Sequence, residues 1–96
     1  MYYPQEIKQS TNKNKKYTMI FKNKKTGRTK AVHFGDNRYE DYTMHKDDER
    51  KKRYINRHKK NENWNDPTKA GTLSRFILWN KPTIRESLKD YLNRFY

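Results

Sequence analysis

Three histidines, His33, His45 and His58, are the side chains whose ordinary pKa lies closest to neutrality, and the chain has no cysteine. His45 is followed by Asp47 and Asp48, and His58 stands two residues after Asn56. Metal-assisted phosphodiester hydrolysis uses these residue types: a base, an orienting carboxamide and a ligand imidazole. The spacing argues otherwise, since no two histidines sit at the close separation of a metal motif. The acids open a stretch suited to a helix, where carboxylates complement the positive end of the helix dipole. Ser10, Ser74 and Ser87 lack the surroundings of an activated nucleophile, and Gly27 and Gly35 stand outside any phosphate-cradling glycine pattern. The chain therefore reads as non-enzymatic, with no metal, no cofactor and no small-molecule substrate.

The chemistry that remains is that of fixed positive charge. The 96 residues carry 24 lysines and arginines against 11 acids, a net charge of +13. Such an excess opposes compaction and favours polyanions, which relieve the repulsion and release counterions on binding. Residues 1 to 35 hold nine Lys/Arg and only Glu6, a net +8, whereas residues 36 to 96 hold fifteen against ten acids, a net +5. Within the first part, Gln9 to Lys16 contains no apolar residue, and residues 1–16 read as a basic arm, flexible or ordered by a partner. The absence of cysteine fits a reducing compartment. The longest apolar run is Phe76 to Trp79, far short of a membrane span, and no hydrophobic stretch follows Met1 as a signal peptide requires.

Residues 17–96 must position these charges. Tyr17 to Lys22 and Thr29 to Phe34 are rich in β-formers and flank a turn with Asn23 and Gly27, which predicts a hairpin. Tyr39 to Lys60 lacks Gly and Pro and predicts a helix from Asp47 onward. Thr72 to Trp79 predicts a short buried helix with Leu73, Phe76 and Ile77 on one face. Thr83-Ile84-Arg85-Glu86 is a capping-box pattern just after Pro82, and Ile84, Leu88, Tyr91, Leu92 and Phe95 recur behind it at helical spacing. The expectation is a small α+β domain: an amino-terminal β-hairpin, then about three helices. At 30% apolar residues the core is thin, and aromatic rings, 15% of the chain, must supply much of it.

On a helix over 46 to 60, Tyr54, Ile55 and His58 project to one side, with Met44 extending it, while Lys46, Arg53, Arg57 and Lys60 project to the other with Arg50 at the border. The second set forms a cationic stripe. With Lys13, Lys15 and Lys16 of the arm, and Lys24, Lys25 and Arg28 of the turn, it is the expected polyanion-binding set. Phosphate contact without strong sequence readout follows, although Tyr2, Tyr3 and Trp64 have rings able to stack on single-stranded bases.

Two blocks, HFGDNRYEDYTMHKDDERKKRYINRHKKNENW from His33 to Trp64 and AGTLSRFILWNKPTIRESLKDYLNRF from Ala70 to Phe95, resemble a family of small basic proteins of giant viruses, the nucleocytoplasmic large DNA viruses. The resemblance spans roughly Tyr17 to Phe95 and carries no catalytic residues to transfer. It implies a structural protein of the virion, present in the host cytoplasm or viral factory during assembly. Packaged DNA, bound without sequence preference, and viral capsid or core proteins are the partners it implies. One alternative is a minor capsid, or cement, protein that bridges larger acidic shell proteins without touching nucleic acid. Last comes a metal-dependent nuclease, because His45, Asn56 and His58 are similar to a His-Asn-His nuclease pattern only in residue type and lack its Cys or Gly framework.

Overall fold

In the computed structural model, which describes residues 1–96, three strands precede the helices: β1 (Tyr2–Gln9), β2 (Lys15–Asn23) and β3 (Thr29–Asp36). They form an antiparallel sheet in the order β1-β2-β3. The fold class is α+β, as composition and pattern led us to expect, but the sheet has one strand more than the predicted hairpin. Residues 2–9 of the expected arm are β1. Their aromatic and branched residues suit a strand, and Ile7 pairs with the buried Met19. Pro4 is tolerated because β1 is an edge strand, and the register shifts between Pro4 and Glu6. Apart from Met1, only residues 10–14, the most polar part of the supposed arm, lie outside the ladder, as the β1–β2 turn.

The chain divides into two compact units, Met1–Arg38 and Tyr39–Tyr96. In the first, alternation along β2 sorts the sheet into two faces. Met19 and Phe21 are buried on one face, joined by Phe34, which pairs with Tyr17; on the other, Lys22 is exposed and Ile20 half-buried. The β2–β3 turn is built on Asn23, whose Oδ1 accepts the Lys25 and Thr26 amides at 3.0 and 3.3 Å. Gly27 then takes φ +73, a left-handed conformation open to glycine at little cost. At the other end of the sheet, the Asn37 carboxamide donates to the carbonyls of Lys13 and Lys15 at 2.6 and 3.0 Å, and its amide donates to that of Asn14 at 3.0 Å. This clamp fixes the β1–β2 turn.

The second unit holds α1 (Tyr42–His45), α2 (Asp48–His58), α3 (Ala70–Leu73) and α4 (Ile84–Phe95). Asp41 caps α1 through the Thr43 amide and hydroxyl, and Asp47 caps α2 by accepting the Glu49 and Arg50 amides at 3.0 and 3.2 Å. Between them Lys46 adopts φ 55, so the two helices do not run together. α3 continues directly into a π-helical turn, Ser74–Leu78, closed by the Trp79 amide on the Ser74 carbonyl at 3.1 Å. Leu73, Phe76 and Ile77 are buried as their spacing predicts, and Leu78 with them. α4 begins at the expected cap, where the Thr83 hydroxyl accepts the Glu86 amide at 3.1 Å and donates to the Glu86 carboxylate at 2.9 Å. Its packed face centres on Ser87 and Tyr91, both fully buried, while Leu92, expected inside, is 38% exposed. The Tyr91 hydroxyl donates to the Pro67 carbonyl at 2.7 Å, satisfying the polar end of a buried ring.

Candidate polyanion-binding surfaces

The Met1–Arg38 unit carries ten Lys/Arg against Glu6 and Asp36, a net +8. Asp36 is already matched: Arg38 grips it with Nε and Nη2 at 3.1 and 2.8 Å and adds its own amide at 2.9 Å. Those three donors hold the Asp36 carboxyl down at about 2, so it is charged at any working pH. Most of the remaining cations gather at the two ends of the sheet. Lys13 lies exposed in the β1–β2 turn, with Lys15 and Lys16 half-buried at the start of β2; Lys24, Lys25 and Arg28 lie exposed in the β2–β3 turn. Nine residues of β2 separate the ends, about 26 Å at the usual rise per residue. Lys8 and Lys22, both exposed and on the sheet face shared with Ile20 and the buried Thr18, were not in the expected set. Lys22 follows Ile20 at strand period and Lys8 lies opposite Thr18, a placement that becomes legible once β1 is recognised as a strand.

In the Tyr39–Tyr96 unit the expected stripe is redrawn. Arg53 and Arg57 lie exposed on α2, and Lys60 lies exposed just beyond its end. Lys46 leaves the stripe because it is the left-handed cap of α1, its ammonium donating to the Thr43 carbonyl at 3.0 Å. Arg50 is half-exposed, with Glu40 at 3.4 Å. Lys52 and Lys59 take the vacated places, both exposed beside Asn56. Lys51, by contrast, points inward, donating to the Asn80 carbonyl at 3.0 Å with its ammonium 4.3 Å from the centre of the Tyr42 ring. No carboxylate comes within ion-pair reach of Lys52, Arg53, Arg57, Lys59 or Lys60.

The opposite side of α2 is an aromatic stack. Tyr54, 8% exposed, lies between the His58 ring at 4.2 Å and the Trp79 ring at 4.3 Å, the latter within 3° of parallel. Ile55 is only half-buried and Met44 is 56% exposed, so neither forms the packed face predicted for them. The residues weighed for metal chemistry have structural partners. Asp47 caps a helix, Asp48 accepts the Tyr42 hydroxyl at 2.7 Å, and His45 accepts the Asp47 amide at 3.0 Å. No group of three His, Asp or Glu side chains is placed to hold a metal ion. Rings considered for base stacking are engaged too. The ammoniums of Lys30 and Lys24 sit 5.4 and 4.3 Å from the Tyr2 and Tyr3 rings, while Trp64 meets Phe76 edge-on and donates to Glu62 at 3.0 Å.

No helix is long and apolar enough to cross a membrane. No curated protein and no solved structure matches the chain. Residues 5–58 match a family described as of unknown function, DUF5754, and that span runs from β1 to the end of α2, taking in the sheet and the cationic helix face. More than half of the sequence lies within the match, and the chain belongs to the DUF5754 family.

Proposed function

We propose that this chain is a non-enzymatic, nucleic-acid-binding structural protein that neutralises phosphate without reading sequence. One observation carries the reading: over Met1–Arg38 the cations outnumber the acids ten to two, and the better placed of the two acids is spent on Arg38. Such a surface gains free energy from polyanions by releasing their counterions. The two turns are too far apart to share one phosphate, so their contacts add. Lysine predominates there, a point charge suited to phosphate rather than to a planar base edge. Because Tyr2 and Tyr3 hold lysines over their rings, the reading favours duplex backbone over stacked single strands. From the resemblance to small basic proteins of giant viruses we infer that this role would be played in the particle of a large DNA virus, against packaged DNA on the inner side of the shell.

The test is fluorescence anisotropy of the full chain on duplexes of unrelated sequence across a salt series. Similar affinities with a steep loss on adding salt are expected, and weak binding that is insensitive to salt would overturn the reading. A second reading, a cement protein bridging acidic shell proteins, draws on Tyr39 and Met44, which are 65% and 56% exposed in one short segment. On that reading duplex binding is weak at physiological salt, and Tyr39→Ser with Met44→Ser abolishes incorporation into particles.

A further inference from the structure

At the β1–β2 turn the sheet carries a hollow of about 360 Å³ lined by Asn12, Asn14, Lys15, Asp36 and Arg38. All five residues carry polar or charged groups, and two cations face one carboxylate. The frame is built before any ligand arrives. Asn12 Oδ1 accepts the Asn14 amide at 2.9 Å, the Lys15 amide donates to the Asn12 carbonyl at 3.1 Å, and the Asn37 clamp takes up the carbonyls of Lys13, Asn14 and Lys15. These bonds use the acceptors of the turn and leave its side-chain donors: no hydrogen bond within the chain engages the Lys15 ammonium or the Asn14 carboxamide. Asp36 holds the Arg38 guanidinium in a fixed plane at the rim, where it adds charge without costing further rotamer freedom. Ammonium, carboxamide donors and a fixed guanidinium around a preformed hollow suit a tetrahedral oxyanion.

We propose that this hollow is a phosphodiester subsite, seating one backbone phosphate of a nucleic-acid strand together with part of its sugar. It deepens the function proposed above and rests on that reading for the source of the phosphate. The remaining cations of the sheet then act as a diffuse field, and this site as the one fixed anchor. The size of the hollow accommodates more than a bare phosphate and lies at the low end of small-ligand sites.

The experiment is a titration of the full ¹⁵N-labelled chain with thymidylyl-thymidine, which carries a single phosphodiester, at constant ionic strength. Saturable shifts confined to Asn12, Asn14, Lys15, Asp36, Asn37 and Arg38 are expected, together with displacement of the dinucleotide by a duplex. Lys15→Gln and Asn14→Ala should each weaken the binding tenfold or more. Asn14→Ala removes no hydrogen bond that the turn needs, so its spectrum should otherwise match the parent. Shifts that never saturate, or that spread equally over Lys24, Lys25 and Arg28, would overturn the subsite, as would dinucleotide shifts that persist unchanged when a duplex is bound. Steep, salt-dependent duplex binding in the same preparation would leave the broader function standing while the subsite falls. Saturable dinucleotide binding without duplex affinity would do the reverse.

Discussion

Truncating Tyr54 to alanine is the sharpest test of how the helical unit is held. The ring is 8% exposed and lies between His58 at 4.2 Å and Trp79 at 4.3 Å. Removing a buried aromatic ring costs about 3–5 kcal/mol, and each of the two ring pairs accounts for about 0.5–1.5 kcal/mol of that. A chain of this length is stable by about 5–14 kcal/mol, so Tyr54→Ala removes a large share of what exists. Urea unfolding followed by far-ultraviolet circular dichroism should show the midpoint falling by about 2 M, taking a slope of about 2 kcal/mol per M. Tyr54→Phe keeps both ring contacts and loses a hydroxyl that makes no hydrogen bond within the chain, so its midpoint should hold to within about 0.3 M. The near-ultraviolet signal should drop in the alanine variant and persist in the phenylalanine one, because Trp79 stacks on the ring that is lost. An alanine variant within about 1 kcal/mol of the parent would refute the stack as the organising contact of α2.

Three further outcomes are expected. Arg53→Glu with Arg57→Glu should leave the urea midpoint nearly unchanged, since neither side chain is in ion-pair contact, and should reduce the salt slope of duplex binding by about 2, near 0.9 per phosphate contact; an unchanged slope removes α2 from the interface. Thr83→Ala should cost about 1 kcal/mol by freeing the Glu86 amide, and calorimetry finding no change would show that α4 is held by packing alone. His45 should make folding sensitive to acid. Burial first, and then the nearby Arg50, lower its pKa below 6.5, its Nδ1 is committed as an acceptor to the Asp47 amide, and its Nε2 is buried without a partner. As pH falls through 6.5 the unfolded chain takes up the proton first, so stability is full above that point and declines below it, towards the folded pKa. In His45→Asn, which keeps an acceptor for that amide, the decline between pH 7 and 5 should be shallower, and a parallel decline would clear His45 of the effect.

Legibility in the sequence tracked how local the physics was. The Thr83–Glu86 cap and the carboxylates opening α2 are settled within one turn of chain, and both were readable. The run of β-formers from Tyr17 to Lys22, ending at the Asn23 turn, marked β2 for the same reason. β1 was hidden because a strand with Pro4 and an irregular register depends on its partner, and nothing in residues 2–9 names Lys15–Asn23 as that partner. The π-helical turn was equally invisible, since Leu73, Phe76 and Ile77 fit an α-helix as well as they fit Ser74–Leu78. For the cations, types and number were plain but placement was not. A wheel drawn through 46 to 60 assumes one continuous helix, and the left-handed Lys46 breaks that assumption before Asp47 starts the next turn. The hollow beside Lys15 depends on Asn37 reaching back more than twenty residues, a pairing that local patterns do not report.

The edges of the sheet bear on how many copies can share a confined volume. An open strand edge offers its amides and carbonyls to any neighbouring chain, and identical chains crowded together would zip into a fibril. Here β1 presents Pro4 and a shifted register on one side, while β3 presents the exposed Lys30 on the other. A second chain finds a missing donor at the first edge and a like charge at the second. Crowding against a polyanion would neutralise the lysine but not the proline, so the β1 edge is the one that would keep densely loaded copies as separate molecules.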